Sequence, residues 1–189
     1  MPIFCKPRLL NLGIREAAGD ILTFLDADAI VGPSWLAGVS TLDADRALTL
    51  LAYRVRYLPA RARITDRATW LRLFQAYDRF PRGYEAYGGP DGGQRLLRPQ
   101  PAAPVVGNSQ CSIRRQILGD LRWDERYVGR GAEDRAFLRA LLRRAGTRFR
   151  SVLRTEPQFS LFHLRHDYAP DWRTREIEKA NHRLYHSEA

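Results

Sequence analysis

The sequence predicts an α/β fold. Three helical stretches alternate with two apolar, strand-length runs across residues 9–80, and a second set of such elements follows after a Gly/Pro-rich interval. The run Ile21–Leu25 is almost wholly apolar, which suits a strand buried on both faces of a mostly parallel sheet. A chain of 189 residues with 44% hydrophobic content can bury one core, which argues against intrinsic disorder.

In chain order, a helix is expected over Leu9–Ala18, where Leu10, Ile14 and Ala17/Ala18 recur at helical spacing and Gly19-Asp20 ends it. The strand Ile21–Leu25 leads directly to Asp26 and Asp28. Pro33 suits the first turn of a helix containing Trp35, Leu36 and Val39. Ala47–Tyr57 reads as one strand, and Thr65-Asp66 can cap a helix from Arg67 to Phe80. Residues 82–104 are a long loop, because Gly and Pro interrupt regular structure there.

Val105–Ile113 is the next strand, followed by a short helix at Arg115–Leu118 and an irregular stretch from Trp123 to Gly131. Glu133–Arg144 is a strong helix, with Phe137, Leu138, Leu141 and Leu142 as its apolar stripe and Gly146 past its end. Phe149–Leu153 and Gln158–Leu164 read as strands, and the tail from Asp171 to His186 as a polar helix.

The formal net charge of +10 invites a nucleic-acid reading. All basic residues except Lys6 and Lys179 are arginine and they are spread along the chain, outside any recognisable nucleic-acid module, so no nucleic-acid partner is expected. No run approaches the ~20 apolar residues of a membrane-spanning helix, which leaves peripheral membrane association open. Cys5 and Cys111 form no spaced motif, and the N-terminus lacks a secretory layout, so a reducing, cytoplasmic location is expected.

Three constellations carry chemistry. In Asp26-Ala27-Asp28, carboxylates two residues apart on an extended chain point the same way, beyond the carboxyl end of a strand, where ligands of α/β sheets collect. Two hard oxygen donors there suit Mg²⁺ or Mn²⁺, and hence a diphosphate. Alternatively the two acids simply cap the following turn, and Asp43-Ala44-Asp45 has the same spacing without that context. In Gly129-Arg130-Gly131-Ala132-Glu133-Asp134, two glycines precede acids at a helix start. The acids complement the helix dipole; alternatively the glycines let the backbone approach a ligand while a carboxylate acts as general base. In His163-Leu164-Arg165-His166 the histidines point to opposite faces of a strand, so both need not bind one ion; one could ligate a metal, and packing or surface roles are the alternative. His182 and His186 share a helix face and read as solvated.

The segment Leu10-Asn11-Leu12-Gly13 through Ala18-Gly19-Asp20 to Asp26-Ala27-Asp28 resembles family 2 glycosyltransferases of the GT-A fold. Gly107-Asn108, Arg114-Arg115, Trp123–Tyr127, Gly131-Ala132-Glu133-Asp134 and Phe162-His163-Leu164 resemble the acceptor half of galactosyltransferase-like members. The resemblance spans residues 7–168 and implies a mixed sheet flanked by helices. It implies transfer of a sugar from a nucleotide-diphosphate donor to a saccharide or other hydroxyl acceptor, with a divalent cation and inversion. Carried onto this chain, it makes Asp134 the catalytic base and Glu133 its neighbour at the acceptor. Asn11, Asp26 and Asp28 would bind the donor, and Asp28 and His163 the metal; His166, Gly131 and Trp123 are further candidates.

The family begins with nucleotide-binding strands, roughly 70 residues' worth, that have no counterpart here. The expectation is therefore one truncated domain over 1–189. Its donor and metal part is 1–81, its loop 82–104, its acceptor part 105–169 and its C-terminal helix 170–189. A non-catalytic carbohydrate- or partner-binding remnant of the same fold is the alternative, and a basic nucleic-acid-binding protein a third.

Overall fold

The computed structural model describes residues 4–45, 49–59, 62–80, 110–129, 131–146, 149–154, 156–164 and 172–188. Helix α1 spans Lys6–Glu16, starting ahead of Leu9 because Pro7 occupies its first turn. Strand β1 is Ile21–Phe24, and a turn then leads into β2, Ala29–Val31, a three-residue strand too short to show in the hydrophobic pattern. Helix α2 is Trp35–Ala44. Pro33 precedes it instead of lying in its first turn, since Gly32, Pro33 and Ser34 make a turn closed by Trp35 N–H on the Gly32 carbonyl (3.1 Å).

The expected strand Ala47–Tyr57 is two strands, β3 (Leu50–Tyr53) and β4 (Val55–Leu58), which enter different sheets. The break is at Arg54, whose carbonyl accepts from Leu161 N–H and from the Tyr77 hydroxyl, both at 2.8 Å, and so leaves the first sheet. Helix α3 (Arg67–Gln75) is capped by Asp66, which accepts from Thr69 N–H at 2.7 Å, and a 3₁₀ turn at Tyr77–Arg79 replaces its expected last turns. Strand β5 (Cys111–Arg114), α4 (Arg115–Leu118), α5 (Glu133–Ala145), β6 (Ser151–Arg154), β7 (Leu161–Leu164) and α6 (Trp172–Ser187) complete the chain. The start of β7 is delayed by a 3₁₀ turn at Pro157–Phe159. The expected loop 82–104 and the first part of the strand expected from Val105 lie outside the described residues.

One sheet has the order β1-β5-β3-β6, the other β2-β7-β4. The strand buried on both faces of a mostly parallel sheet, expected from Ile21–Leu25, is not found: the sheet is mixed, and β1 buries only one face, at Leu22 and Phe24. β5 runs antiparallel to both neighbours, while β3 and β6 are parallel; β7 is antiparallel to β2 and parallel to β4. Ser112 at the centre of β5 is fully buried and is satisfied across the sheet by Thr23 Oγ1 (2.7 Å) and Tyr53 OH (2.6 Å).

Strand β3 is buried throughout because both faces are covered. Leu50 and Ala52 join Leu22, Phe24, Ile113 and Phe137 on the side of α1 and α5, while Leu51 and Tyr53 meet Trp35, Val39 and Leu42 of α2. A third cluster, Leu58, Phe74, Tyr77 and Phe162, seals α3 onto the smaller sheet. Among the described residues β1 pairs only with β5, and a groove of about 240 Å³ runs between it and α1.

Candidate functional site at the carboxyl end of β1

After Phe24 the chain leaves the sheet, and Ala29 N–H closes a turn on the Asp26 carbonyl at 3.0 Å. Asp26 and Asp28 therefore converge through a turn and not, as expected, along an extended chain. They meet at His163 of β7, whose Nε2 lies 3.2 Å from Asp28 Oδ1 and 3.8 Å from Asp26 Oδ2. The strand pairing arranges this, because His163 stands opposite Ala29, the first residue after Asp28.

His163 is 4% exposed, edge-on to the Tyr57 ring at 5.9 Å, and its Nδ1 is 2.7 Å from the Leu164 carbonyl. A carbonyl only accepts, so Nδ1 donates, and a ring carrying its single proton there would present the Nε2 lone pair on the side of the carboxylates. Two ligands on adjacent corners of an octahedral cation, each about 2.1 Å from it, stand about 3 Å apart. The Asp28–His163 spacing of 3.2 Å is close to that; a carboxylate oxygen suits either Mg²⁺ or Mn²⁺, and the imidazole favours the transition metal of the two, Mn²⁺. Among the described residues no set of three or more His, Cys, Asp or Glu side chains encloses an ion. An ion at this pair would have to take its other positions from phosphate oxygens and water.

Asp26 is held differently. Lys6 Nζ donates to its Oδ1 at 2.9 Å and Gln110 Nε2 to its Oδ2 at 3.1 Å. Burial opposes its ionisation, but the Lys6 charge and the two hydrogen bonds outweigh burial and keep the carboxyl below its usual 3.8. Both Asp26 oxygens are thus engaged by protein donors. Gln110 is fully buried at the entry to β5.

The acidic pair opens α5. Ala132 precedes it with a positive φ of 66°, and Glu133 and Asp134 occupy the first turn. The Asp134 charge reaches into the β1 cluster. Burial pulls the Lys6 ammonium toward neutrality, but Asp134, Asp26 and Glu133 together hold its pKa above the ordinary 10.5. The buried Cys111 thiol is pushed up, first by burial and then by Asp134, which makes it a packing residue.

The glycines before the acids have an occupant. Gly129 (φ 68°) and Gly131 (φ 108°) face helix α6, so that a Cβ on Gly129 would lie 2.9 Å from Ile177 Cγ2 and one on Gly131 3.6 Å from Glu178 Cγ. At Gly129 the close approach is that of a helix, where one of the two sequence readings had a ligand; at Gly131 the contact is ordinary and the positive φ is what favours glycine. Gly129 is fastened on its other side too, its N–H donating to the Phe4 carbonyl at 2.7 Å and its strand bridge made with Cys5. Asn181 of α6 adds a bond to the Val128 carbonyl (2.9 Å).

Asn11, expected at the donor, exchanges two hydrogen bonds with the Trp123 backbone (2.8 and 2.9 Å) and a third with Glu125, so it braces the segment ahead of the acidic pair. Trp123 is 2% exposed and stacks on Phe137 at 4.1 Å, a core position. His182 and His186 are exposed on α6, and His166 lies outside the described residues. Two site residues escaped the sequence reading, Lys6 and Gln110. Lys6 had a signal, as one of two lysines among 31 basic residues; Gln110 had a weaker one, a polar residue entering an apolar strand.

No described helix is long and apolar enough to cross a membrane. The family model described as glycosyl transferase family 2 matches residues 6–102, about half of the chain, which includes Lys6, Asp26 and Asp28. No curated protein matches the chain.

Proposed function

The chain belongs to glycosyl transferase family 2, and from that premise we propose that it transfers a sugar from a nucleoside-diphosphate donor to an acceptor hydroxyl, with inversion at the anomeric carbon. The observation that carries this reading is the meeting of Asp28 and His163 at 3.2 Å beyond the end of β1, beside a supported Asp26. Asp28 and His163 would hold a divalent cation. When bound, the ion would neutralise negative charge on the donor diphosphate.

The protein's own contribution lies on the two sides of that pair. Residues 1–81 form the donor side, where Lys6, with Gln110 reaching across from β5, holds the Asp26 carboxylate. Residues 105–169 form the acceptor side, where Asp134 is the general base and Glu133 holds the acceptor. The Asp134 carboxylate takes the proton of the acceptor hydroxyl as that oxygen bonds to the anomeric carbon. The bond from that carbon to the diphosphate oxygen breaks on the opposite face, and the electron pair leaves with the nucleoside diphosphate. The first turn of α5 places the acid where the helix dipole favours its charged, proton-accepting form.

The test is calorimetry of the chain with Mn²⁺ and a panel of nucleotide sugars, paired with a transfer assay. Asp28→Ala is expected to abolish the Mn²⁺ heat. Asp134→Asn is expected to keep donor binding and lower kcat by at least about a hundredfold. Unchanged turnover in Asp134→Asn rejects the base assignment, and absence of heat with every donor rejects the enzyme in favour of a non-catalytic carbohydrate- or partner-binding role.

A further inference from the structure

We propose that Asn181 is a positioning residue. From the middle of α6 it sets the turn that leads into Glu133 and Asp134, and so places the acceptor side of the site. The proposal rests on the transferase reading above. In α6, Ile177, Glu178, Asn181, Leu184, Tyr185 and Glu188 recur at helical spacing and form its sheltered stripe. Asn181, central in that stripe, is 3% exposed and is the one fully buried residue among those described in α6. An apolar side chain is the ordinary occupant of such a position. A buried amide is costly unless it is hydrogen-bonded, and what its bonds supply in return is register. Asn181 Nδ2 donates to the Val128 carbonyl at 2.9 Å, on the turn ahead of the acidic pair.

That turn needs to be held from outside. Ala132, directly before Glu133, has φ 66°, a conformation that strains a residue with a Cβ and persists only where the surroundings enforce it. The surroundings are α6 and the N-terminal segment. Asn181 holds the Val128 carbonyl, Ile177 packs on Gly129, and the Phe4 carbonyl accepts from Gly129 N–H at 2.7 Å. The far end of α6 is tied to α5 itself. Arg139 Nη1 donates to the Tyr185 carbonyl at 2.9 Å with its guanidinium 4.0 Å over the Tyr185 ring, and Arg143 Nη2 donates to the Glu188 carbonyl at 2.8 Å. Helix α6 is thus a splint from the turn to the body of α5. The register that Asn181 gives it decides where the first turn of α5 begins.

The experiment compares the native chain with Asn181→Leu and Asn181→Ala. Each is measured by urea melting, by Mn²⁺ calorimetry, by kcat in the transfer assay, and by hydrogen exchange at the amides of Gly129 and Ala136. Those two amides bond to Phe4 and Ala132, so they report the turn and the first bond of α5. Leucine is close to asparagine in size and completes an apolar stripe, so Asn181→Leu is expected to keep a cooperative melt near the native midpoint. Exchange at Gly129 and Ala136 is expected to quicken about tenfold or more as the turn loosens. The kcat falls by about tenfold or more, because the acid no longer stands in reacting geometry. Mn²⁺ affinity, which belongs to Asp28 and His163 on other elements, stays native.

Slower turnover and a looser turn with intact Mn²⁺ binding form a set of changes that a merely structural asparagine does not produce; general loss of structure weakens metal binding as well. Native exchange rates at Gly129 and Ala136 in a folded Asn181→Leu overturn the proposal, as does native kcat, or Mn²⁺ affinity that falls together with kcat. Should Asn181→Leu fail to melt cooperatively, Asn181→Ala is judged by the same criteria, and failure of both to fold makes Asn181 a stability residue and overturns the assignment. If the native chain transfers no sugar, the transferase reading falls, while exchange at Gly129 and Ala136 still decides whether Asn181 sets the turn.

Discussion

Gly129→Ala tests whether α6 braces the turn that carries the acidic pair. Gly129 has φ 68°, and an added Cβ would meet Ile177 Cγ2 at 2.9 Å. The left-handed conformation costs an L-residue about 1–2 kcal/mol. Ile177 is β-branched, so its Cγ2 cannot swing aside without moving the whole side chain, and overpacking of this kind costs about 1–3 kcal/mol. The sum, about 2–5 kcal/mol, is large beside the ~5–15 kcal/mol that stabilises a typical domain. Urea melts of the native chain, Gly129→Ala, Ile177→Ala and the double variant resolve the two contributions. In the Ile177→Ala background the clash is gone, and Gly129→Ala should then cost only the backbone share. The expected coupling is about 1–3 kcal/mol. Costs that add to within about 0.5 kcal/mol refute the contact, and a neutral Gly129→Ala refutes both parts. Turnover in Gly129→Ala should fall as well, because the displaced turn leads directly into Glu133 and Asp134.

Trp123→Ala should destabilise the fold by about 3–5 kcal/mol, since Trp123 is stacked on Phe137 and edge-on to Phe24. A variant that melts normally but loses acceptor affinity would put Trp123 in the cleft instead. The Lys6–Asp26 pair also sets a pH window. The Asp26 pKa is depressed in the folded state, so its contribution is complete above the unfolded value of about 4 and is lost as pH falls through the folded one. The Lys6 pKa is raised, so its contribution is complete below about 10.5 and is lost as pH rises through the folded value. Lys6→Met should therefore flatten both limbs of a stability-against-pH curve measured by urea melts. Limbs identical to those of the native chain would show that the pair adds no pH-dependent stability.

The sequence alone was enough to place the elements whose cause is local. The helix at Glu133 with Gly146 beyond it, the cap at Asp66 and the apolar run of β1 follow from periodicity, capping chemistry and hydrophobicity, and each is found with small shifts at its ends. Asp26, Asp28, Glu133, Asp134 and His163 were likewise legible as candidates, because their residue types and neighbours limit what they can do.

Other features depended on contacts between segments remote in sequence, where local pattern carries no information. The break at Arg54 depends on what its carbonyl meets, Leu161 and Tyr77. The reversed direction of β5 depends on how the chain returns between β1 and β3. The glycines at 129 and 131 are free in conformation from sequence alone, but that α6 fills the space beside them is a tertiary fact. Lys6 and Gln110 matter because burial at the end of β1 takes water away from Asp26 and leaves its charge to be met by protein donors. The sequence therefore named the carboxylates, and tertiary packing decided which of them would be held, by Lys6 and Gln110, and which would face His163.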